Sequence, residues 1–269
     1  MNLIEHSVVE LVQKPGFAGL IEQIDLCAGV CYGRESPHTP DKQIEFVEKL
    51  INRDHMRCLE FGTIYLTIPK PNFSTPIFRS NYCSTHEDDD WYYITTNYRY
   101  ILEKKLQSYL KYMCEPTEHH TIRRTFKVVC SRAIADELRT HTTLSGLMKS
   151  TRFCDMSEMQ VVIPQWLNWY DKKVRDVYIE SMQSAQQTYQ KLLSCGLSKQ
   201  QARGVLPLDI ATTVLLCGSV GVLNSSWERF IKLRTATAAH EDARVIANEI
   251  KEILNNDKLN QNEKEIKTN

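Results

Sequence analysis

The sequence predicts an α/β (α+β) fold in which a mainly antiparallel sheet is flanked by helices, and three observations lead to this class. Segments rich in β-branched and aromatic residues recur at 59–68, 121–131 and 209–220, and stretches with helical periodicity separate them. The 269 residues are 42% hydrophobic and 25% charged, which is typical of a globular chain with a sizeable core. Because no internal repeat or low-complexity linker divides the chain, we predict a single domain over residues 1–255.

The N-terminal half is predicted to contain helices at 17–31 and 41–53. The second helix follows Thr39 and has Pro40 in its first turn, a favoured position for proline. The segment LEFGTIYLTI alternates between the two faces of a strand. Three prolines and an acidic run predict a loop after it, and helical character returns before the next strand. The resulting elements are a strand at 59–68, a loop at 69–90 and a helix at 95–113.

The C-terminal half is predicted from the same signals. Gly196 ends the longest helix, since glycine favours the residue after a helix terminus, and Ser198 caps the short helix that follows. The predicted elements are a strand at 121–131, helix at 132–141, a short strand at 161–163, helix at 166–195, a strand at 209–220 and helices at about 225–234 and 239–255. The charged segment 256–269 lacks bulky apolar residues and is predicted to be a disordered tail.

Composition excludes several classes of function. Lys+Arg and Asp+Glu both number 33, so no global field attracts nucleic acid or an anionic membrane. No apolar run is long enough for a membrane helix, and the N-terminus lacks signal-peptide character, so we expect a cytoplasmic protein. The nine cysteines are scattered and odd in number, which favours free thiols. Cys27 and Cys31 have no second pair nearby, so no metal site is predicted.

The segment ELRTHTTLSGLMKSTRFCDMS (137–157) is the part of the sequence with the most chemical character. It is poor in large apolar residues and dense in hydroxyl and basic groups. Ser150, Thr151 and Arg152 could surround one phosphate, because a guanidinium forks onto paired oxygens and hydroxyls complete the shell. On composition alone, a solvated loop fits this segment equally well.

This segment resembles the signature of the flavin-dependent thymidylate synthase (ThyX) family, in which Arg-His-Arg is followed by Ser, Glu, Ser and Arg at fixed intervals. The residues in register are His141, Ser145, Ser150 and Arg152, continued by Phe153 and Cys154. The departures are Thr140 and Thr142 in place of the two arginines and Met148 in place of the glutamate.

Further blocks agree with the family in order and spacing, and the matches run from about residue 17 to residue 250. The block HMRCLEFGTIYLTI (55–68) is similar to the family's His-x-x-x-Leu-Glu-His entry into a strand, with Phe61 in place of the second histidine. The other blocks are ITTNYR (94–99), QARGVLPL (201–208) and FIKLRTATAAHEDAR (230–244). The resemblance implies a ThyX-like fold and a homotetramer whose sites are built between subunits.

The resemblance also implies roles for individual residues. The nucleotide would be bound by Ser150, Arg152, Arg203 and Arg234, with Arg234 as the catalytic residue that polarises the pyrimidine. Glu137 stands where the family commonly has glutamine near the nucleotide, which leaves the preferred nucleotide open. The flavin side would use His141, Arg139 and Asn224. For each arginine taken singly, a surface salt bridge remains the alternative.

Two functional readings follow. In the first, the protein is an enzyme that reductively methylates dUMP to dTMP with methylenetetrahydrofolate as carbon donor, FAD as hydride carrier and NADPH as reductant, as the resemblance implies. In the second, it is a catalytically inactive homologue that binds or sequesters a nucleotide. The second reading rests on the selective changes at the flavin side, because threonine cannot replace a guanidinium's charge or reach. A fold by itself does not decide between them.

Overall fold

The structure is a computed structural model that describes residues 1–72, 77–78, 80–168 and 170–268, with side chains up to residue 256 apart from that of residue 72. The strands are β1 (Asn2–Ile4), β2 (Ser7–Leu11), β3 (Thr63–Pro69), β4 (Ser84–Glu87), β5 (Trp91–Asn97), β6 (Arg123–Ser131), β7 (Ser145–Met148), β8 (Gln160–Val162) and β9 (Ala211–Ser219). The α-helices are α1 (Gly16–Cys31), α2 (Pro40–Asn52), α3 (Tyr98–Glu103), α4 (Arg132–Leu138), α5 (Lys172–Ser194), α6 (Lys199–Ala202), α7 (Ser226–Arg234) and α8 (Glu241–Thr268).

The central sheet confirms the predicted antiparallel class. Its strand order is β2-β6-β9-β7, and every pairing in it is antiparallel. A second antiparallel sheet has the order β3-β5-β4, and β1 pairs with β8 in parallel. Strand β7 lies at one edge of the central sheet, where Ser145 is opposite Cys217 and Met148 is opposite Val214. The segment 137–157, which resembles the family signature, includes β7 and is therefore held at this edge of the sheet.

Helices cover the central sheet through apolar stripes that the sequence spacing dictates. In α8 the buried residues are Ala243, Ile246, Ala247 and Ile250, the i, i+3, i+4, i+7 pattern of one helical face. They belong to a core cluster with Trp227 and Phe230 of α7 and with the apolar residues of β6 and β9. The packing of α4, α7 and α8 in this cluster places the C-terminal ends of α4 and α7 beside each other.

Several predicted boundaries differ from the structure. Residues 56–61 form a 3-10 helix, so the strand predicted from 59 begins at Thr63. The helix predicted at 95–113 is wrong at its start, since β5 occupies Trp91–Asn97 and pairs with β3 along its whole length. The loop predicted at 69–90 contains β4, and residues 73–76 and 79 of that prediction lie outside the described residues.

The C-terminal elements follow the predictions more closely. Helix α5 begins at Lys172 rather than 166, because the Asp171 side chain caps it by accepting from Val174 N–H at 3.2 Å. Helix α8 continues beyond residue 255 to Thr268. The disorder predicted for 256–269 concerns side chains outside the described residues and stays a prediction, as does the single domain over 1–255.

Candidate functional site

Arg234, the last residue of α7, is the centre of a polar cluster with three residues near the end of α4. Its guanidinium donates from Nε to His141 Nε2 at 2.8 Å and from Nη2 to Glu137 O at 2.9 Å and Thr140 Oγ1 at 3.0 Å. Nη1 forms an ion pair with the Glu137 carboxylate. The Arg234 side chain is only 11% exposed. The structure therefore brings together three of the predicted site residues, Arg234, Glu137 and His141.

This bonding leaves Arg234 little capacity for a ligand. A guanidinium has five N–H donors, and four of those of Arg234 are used by its own chain. The remaining N–H belongs to Nη1, the nitrogen that also contacts the Glu137 carboxylate. The cluster thus offers one donor beside an acceptor, a pattern that matches the neighbouring carbonyl and N–H groups of a pyrimidine edge.

His141 is held as a neutral ring. Burial and then the charge of Arg234 lower its pKa from 6.5 to about 4. Because Nε2 accepts the hydrogen bond from Arg234, the ring proton resides on Nδ1. The ring also packs against Phe230, with centroids 4.8 Å apart. His141 is therefore a hydrogen-bond acceptor toward Arg234 and a possible donor through Nδ1.

The lowered pKa of His141 predicts a pH dependence of stability. Between about pH 6.5 and 4 the unfolded chain binds the proton and the folded chain does not, so the free energy of unfolding falls as the pH falls through this window. The His141→Gln variant keeps an acceptor for Arg234 but cannot titrate. Urea denaturation across the window should show a steeper loss in the wild type than in this variant. Parallel losses would mean that His141 titrates normally.

The second group of predicted residues lies on the loop after β7 and at the start of the Arg203–Val205 turn. Arg203 Nη1 donates to Thr151 Oγ1 at 3.4 Å. Ser150 Oγ accepts from Arg152 N–H at 3.2 Å, and Arg152 Nε donates to Gln200 Oε1 at 2.9 Å. We call Ser150, Arg152 and Arg203 the phosphate set. Within the described residues neither arginine has an acidic partner, so their charges are available to an anion.

The C-terminal end of α1 holds the loop of the phosphate set in place. Cys31 O accepts from Ser150 N–H at 3.0 Å, and the Cys154 thiol points to the same oxygen at 3.7 Å. Gly33 adopts φ +78°, and a Cβ there would lie 3.1 Å from Cys154 Sγ. Burial raises the pKa of Cys31 to about 11, which keeps it a neutral thiol. All the cysteines are free.

Within one chain, Arg234 and the phosphate set do not meet. They lie at opposite ends of β7, whose four residues span about 13 Å. Among the described residues, no side-chain hydrogen bond links Arg234, Glu137, Thr140 or His141 to Ser150, Arg152 or Arg203. In one copy the Arg234 cluster and the phosphate set are therefore two distinct polar groups.

The residues predicted for the flavin side are dispersed. Arg139 follows α4, pairs loosely with Asp136 at 3.6 Å and lies over Gly146. Asn224 precedes α7 in a left-handed conformation, φ 59°, and donates its N–H to Glu228 Oε2 at 2.6 Å. The nine residues of α7 separate Asn224 from Arg234 by about 13 Å. Phe61 is fully buried and packs in the hydrophobic core.

A cavity of about 1000 Å³ lies between α7, α8 and the loop at 116–122. Val222 and Ser225, on either side of Asn224, line it, together with the indole of Trp227. It extends along α7, from the residues beside Asn224 to Ile231, Lys232 and Thr235 near Arg234.

Sequence reasoning missed three polar side chains near these groups. Lys199 donates to Phe153 O at 3.3 Å, and Gln200 contacts Arg152 as described above. Both directly precede the QARGVLPL block, so their place in the sequence could have indicated them. Arg57 donates from Nε to Gly146 O at 3.0 Å. No sequence pattern indicates this contact, because it depends on how the Met56–Phe61 turn packs on β7.

The described part of the chain contains neither a candidate membrane-spanning helix nor a candidate metal site. None of its helices combines the length and the apolar character needed to cross a membrane. Its His, Cys, Asp and Glu residues form no group of three or more arranged to hold a metal ion.

The chain was compared with known proteins. The family described as thymidylate synthase complementing protein matches residues 99–257. A probable flavin-dependent thymidylate synthase of Paramecium bursaria Chlorella virus 1 is 27% identical over 174 residues, which cover 57% of this chain and 77% of the viral protein. The flavin-dependent thymidylate synthase of Corynebacterium efficiens is 26% identical over 132 residues, 44% of this chain and 51% of that protein. The chain thus spans about half the length of the bacterial relative.

Among solved structures, a UMP/dUMP methylase, PolB from Streptomyces cacaoi bound with 5-Br dUMP, superposes with a TM-score of 0.47. The sequence identity is 12%, and the superposition covers 94% of this chain and 92% of the other.

Proposed function

The chain belongs to the thymidylate synthase complementing protein family, and on that premise we propose that it methylates a pyrimidine nucleoside monophosphate, converting dUMP to dTMP. The proposed co-reactants are methylenetetrahydrofolate as carbon donor, FAD as hydride carrier and NADPH as reductant. The names of the relatives support the flavin. A cytoplasmic location remains part of the proposal. The observation that carries the proposed methylation of dUMP is the phosphate set, which consists of two arginines and a serine without an acidic partner among the described residues.

In the proposed site the phosphate set binds the phosphate of the nucleotide. Arg152 and Arg203 are both exposed, and each has N–H groups left after its bond to Gln200 or Thr151. Guanidinium groups match paired phosphate oxygens, and the Ser150 hydroxyl can complete the shell. Because the loop is held by Cys31 O, these donors are positioned before the ligand arrives, which reduces the entropic cost of binding.

Arg234 and Glu137 are proposed to bind the base. The free Nη1 hydrogen of Arg234 would donate to a pyrimidine carbonyl and stabilise negative charge that develops on its oxygen. The Glu137 carboxylate, an acceptor only, would take the neighbouring ring N–H. His141 holds the guanidinium in this orientation through Nε2. The ion pair with Glu137 reduces the charge of Arg234, so the polarising effect depends on geometry rather than on net charge.

We propose that two copies complete each site within a homotetramer. The Arg234 cluster and the phosphate set lie at opposite ends of β7 in one chain. We propose that each is a half-site that faces the complementary half-site of a second copy. Helix α5 and the segment before it offer apolar surface for such an assembly. Trp166 before the helix, and Val174 and Val177 on it, are 47%, 45% and 64% exposed and line a groove of about 690 Å³ with Tyr178 and Met182. Burial of such a face against a second copy would contribute favourably to association.

The residues at the flavin side fit the cofactor in part. Arg139 supplies a positive charge and His141 a donor at Nδ1, and these two, with Asn224, would hold the flavin. When bound, FAD supplies hydride transfer. The Thr140 hydroxyl is already used, because it donates to Glu137 O at 2.7 Å and accepts from Arg234.

That closed network favours a second candidate function, a catalytically inactive homologue that binds or sequesters a nucleotide. Thr140 and Glu137 satisfy Arg234 without any ligand. A protein that only binds would keep the phosphate set and would not need an open flavin side.

The visible absorption spectrum of the purified protein tests the proposed function. We expect flavin bands after incubation with FAD, and formation of dTMP when dUMP, methylenetetrahydrofolate and NADPH are added. The physical reason is that Arg139 retains a guanidinium at the flavin side. A preparation that stays colourless with added FAD, yet binds dUMP in calorimetry, would replace the enzyme by the nucleotide-binding homologue.

A further inference from the structure

Arg57 reaches the edge strand of the central sheet from a different part of the fold. It lies in the 3-10 helix Met56–Phe61, and its Nε donates to Gly146 O of β7 at 3.0 Å. This bond anchors the side chain beside β7 through Nε and leaves Nη1 and Nη2 unused. Within the described residues, those two nitrogens have neither a hydrogen-bond partner nor a carboxylate within ion-pair distance. They are therefore available to an anion.

Arg139 approaches the same glycine from the end of α4. A Cβ at Gly146 would lie 3.3 Å from Arg139 Cγ and 3.9 Å from its Cβ, so the absence of a side chain lets the arginine lie close over β7. Its ion pair is with Asp136 at 3.6 Å, and both side chains are at least 40% exposed. Such a pair contributes little and can be displaced by a better anion.

Gly146 is thus contacted by two arginines, by Arg57 through Nε on its carbonyl oxygen and by Arg139 through the aliphatic part of its side chain. Strand β7 is the last strand of the order β2-β6-β9-β7, so no further strand in the described part of the chain pairs with this edge, and α1 and the 3-10 helix that contains Arg57 lie beside it. Two arginines anchored by different elements can bind four oxygens in a fixed geometry, which suits a pyrophosphate better than a single charge. Among the described residues, Arg139 forms an ion pair with the exposed Asp136, and Arg57 forms none.

We propose that Arg57 and Arg139 form a pyrophosphate-binding site on β7 that takes the phosphates of the flavin dinucleotide. The assignment to the dinucleotide rests on the proposed function. It also rests on position, since Gly146 and Ser150 are four residues apart in an extended segment, about 13 Å. The phosphate set therefore serves the mononucleotide, and the Arg57–Arg139 site is separate from it.

Neutral variants of similar length test the site. Arg57→Gln keeps a donor for Gly146 O, and Arg139→Gln keeps the aliphatic contact with β7. FAD titration by fluorescence quenching should show a Kd raised at least about tenfold in each, the effect of a lost charged hydrogen bond. The Kd of dUMP, measured by calorimetry, should stay within about twofold, since one lost surface charge has a small effect at this distance. Arg53→Gln, an exposed arginine four positions before Arg57, is the matched control, and thermal melts verify folding.

The outcomes distinguish the two sources of phosphate. Weaker dUMP binding with unchanged FAD binding would overturn the assignment and indicate that Arg57 and Arg139 bind the mononucleotide instead. Unchanged binding of both ligands in the double variant would overturn the site itself. If the wild type binds no FAD, the flavin part of the proposed function fails, and inorganic pyrophosphate becomes the probe. Loss of pyrophosphate binding in the double variant then supports the anion site, and unchanged binding refutes it.

Discussion

Replacing Arg152 or Arg203 by alanine is expected to weaken the binding of dUMP by roughly 10- to 150-fold, which corresponds to about 1.5–3 kcal/mol for each lost charged hydrogen bond. The effect should be this large because neither arginine has an acidic partner among the described residues, so the phosphate is the anion that their charges are free to bind. Calorimetry with dUMP and dTMP measures it. Both ligands should lose affinity equally, since they share the phosphate.

Arg53→Ala serves as the control for this prediction, because it also removes an exposed arginine, but Arg53 follows α2 and, in the described part of the chain, forms no side-chain hydrogen bond or ion pair with the phosphate set. The structure predicts no change in the Kd of either nucleotide for it. The phosphate contact can also be tested directly, since deoxyuridine lacks the phosphate and should bind all variants alike. Unchanged dUMP affinity in both Arg152→Ala and Arg203→Ala would place the phosphate site elsewhere in the molecule.

Arg234→Ala is expected to reduce the turnover of dUMP by about 100- to 1000-fold, the scale for loss of a donor that stabilises developing negative charge. The affinity for dUMP should fall much less, because the phosphate set remains. The variant also leaves Glu137 and His141 without their shared partner, so the free energy of unfolding should drop by about 1–3 kcal/mol.

Arg234→Lys separates charge from geometry in this cluster. Lysine keeps the positive charge beside Glu137 but cannot donate simultaneously to His141 and Thr140, because its ammonium is a point charge rather than a planar fork. We expect stability to recover in part while turnover stays low. Turnover near the wild-type level in either variant would exclude Arg234 as the residue that polarises the base.

The fold class could be predicted from sequence because the strands of the central sheet are locally well specified. The segments at 121–131 and 209–220 alternate and are rich in β-formers, and they became β6 and β9. By contrast, the last three residues of β5 fall within the segment predicted as a helix at 95–113. The following residues Tyr98, Ile101 and Leu102 have helical spacing, and only the pairing of Ile94 with Leu66 across two strands identifies the extended part. Non-local pairing of this kind carries no local signal.

The candidate site was predictable in its residues but not in their contacts. The resemblance to the family indicated Glu137 and His141 in the segment 137–157 and Arg234 in the block 230–244, yet their hydrogen bonds depend on the packing of α7 against α4. Thr140 illustrates the difference: the sequence marks it as a lost arginine, and the structure shows its hydroxyl bridging Glu137 O and Arg234. A guanidinium there would have placed a second positive charge beside Arg234.

Mixing two impaired variants, assayed at dUMP concentrations too low to saturate Arg152→Ala, tests most directly the claim that each nucleotide site combines the phosphate set of one copy with Arg234 of another. Arg152→Ala subunits retain Arg234, and Arg234→Ala subunits retain the phosphate set. After random reassembly, about a quarter of the shared sites should contain both intact halves, so dTMP formation should return to roughly a quarter of the wild-type rate. Light scattering would verify that the mixture is tetrameric. A mixed tetramer with no recovered activity would contradict the account, because each site would then draw both halves from a single chain.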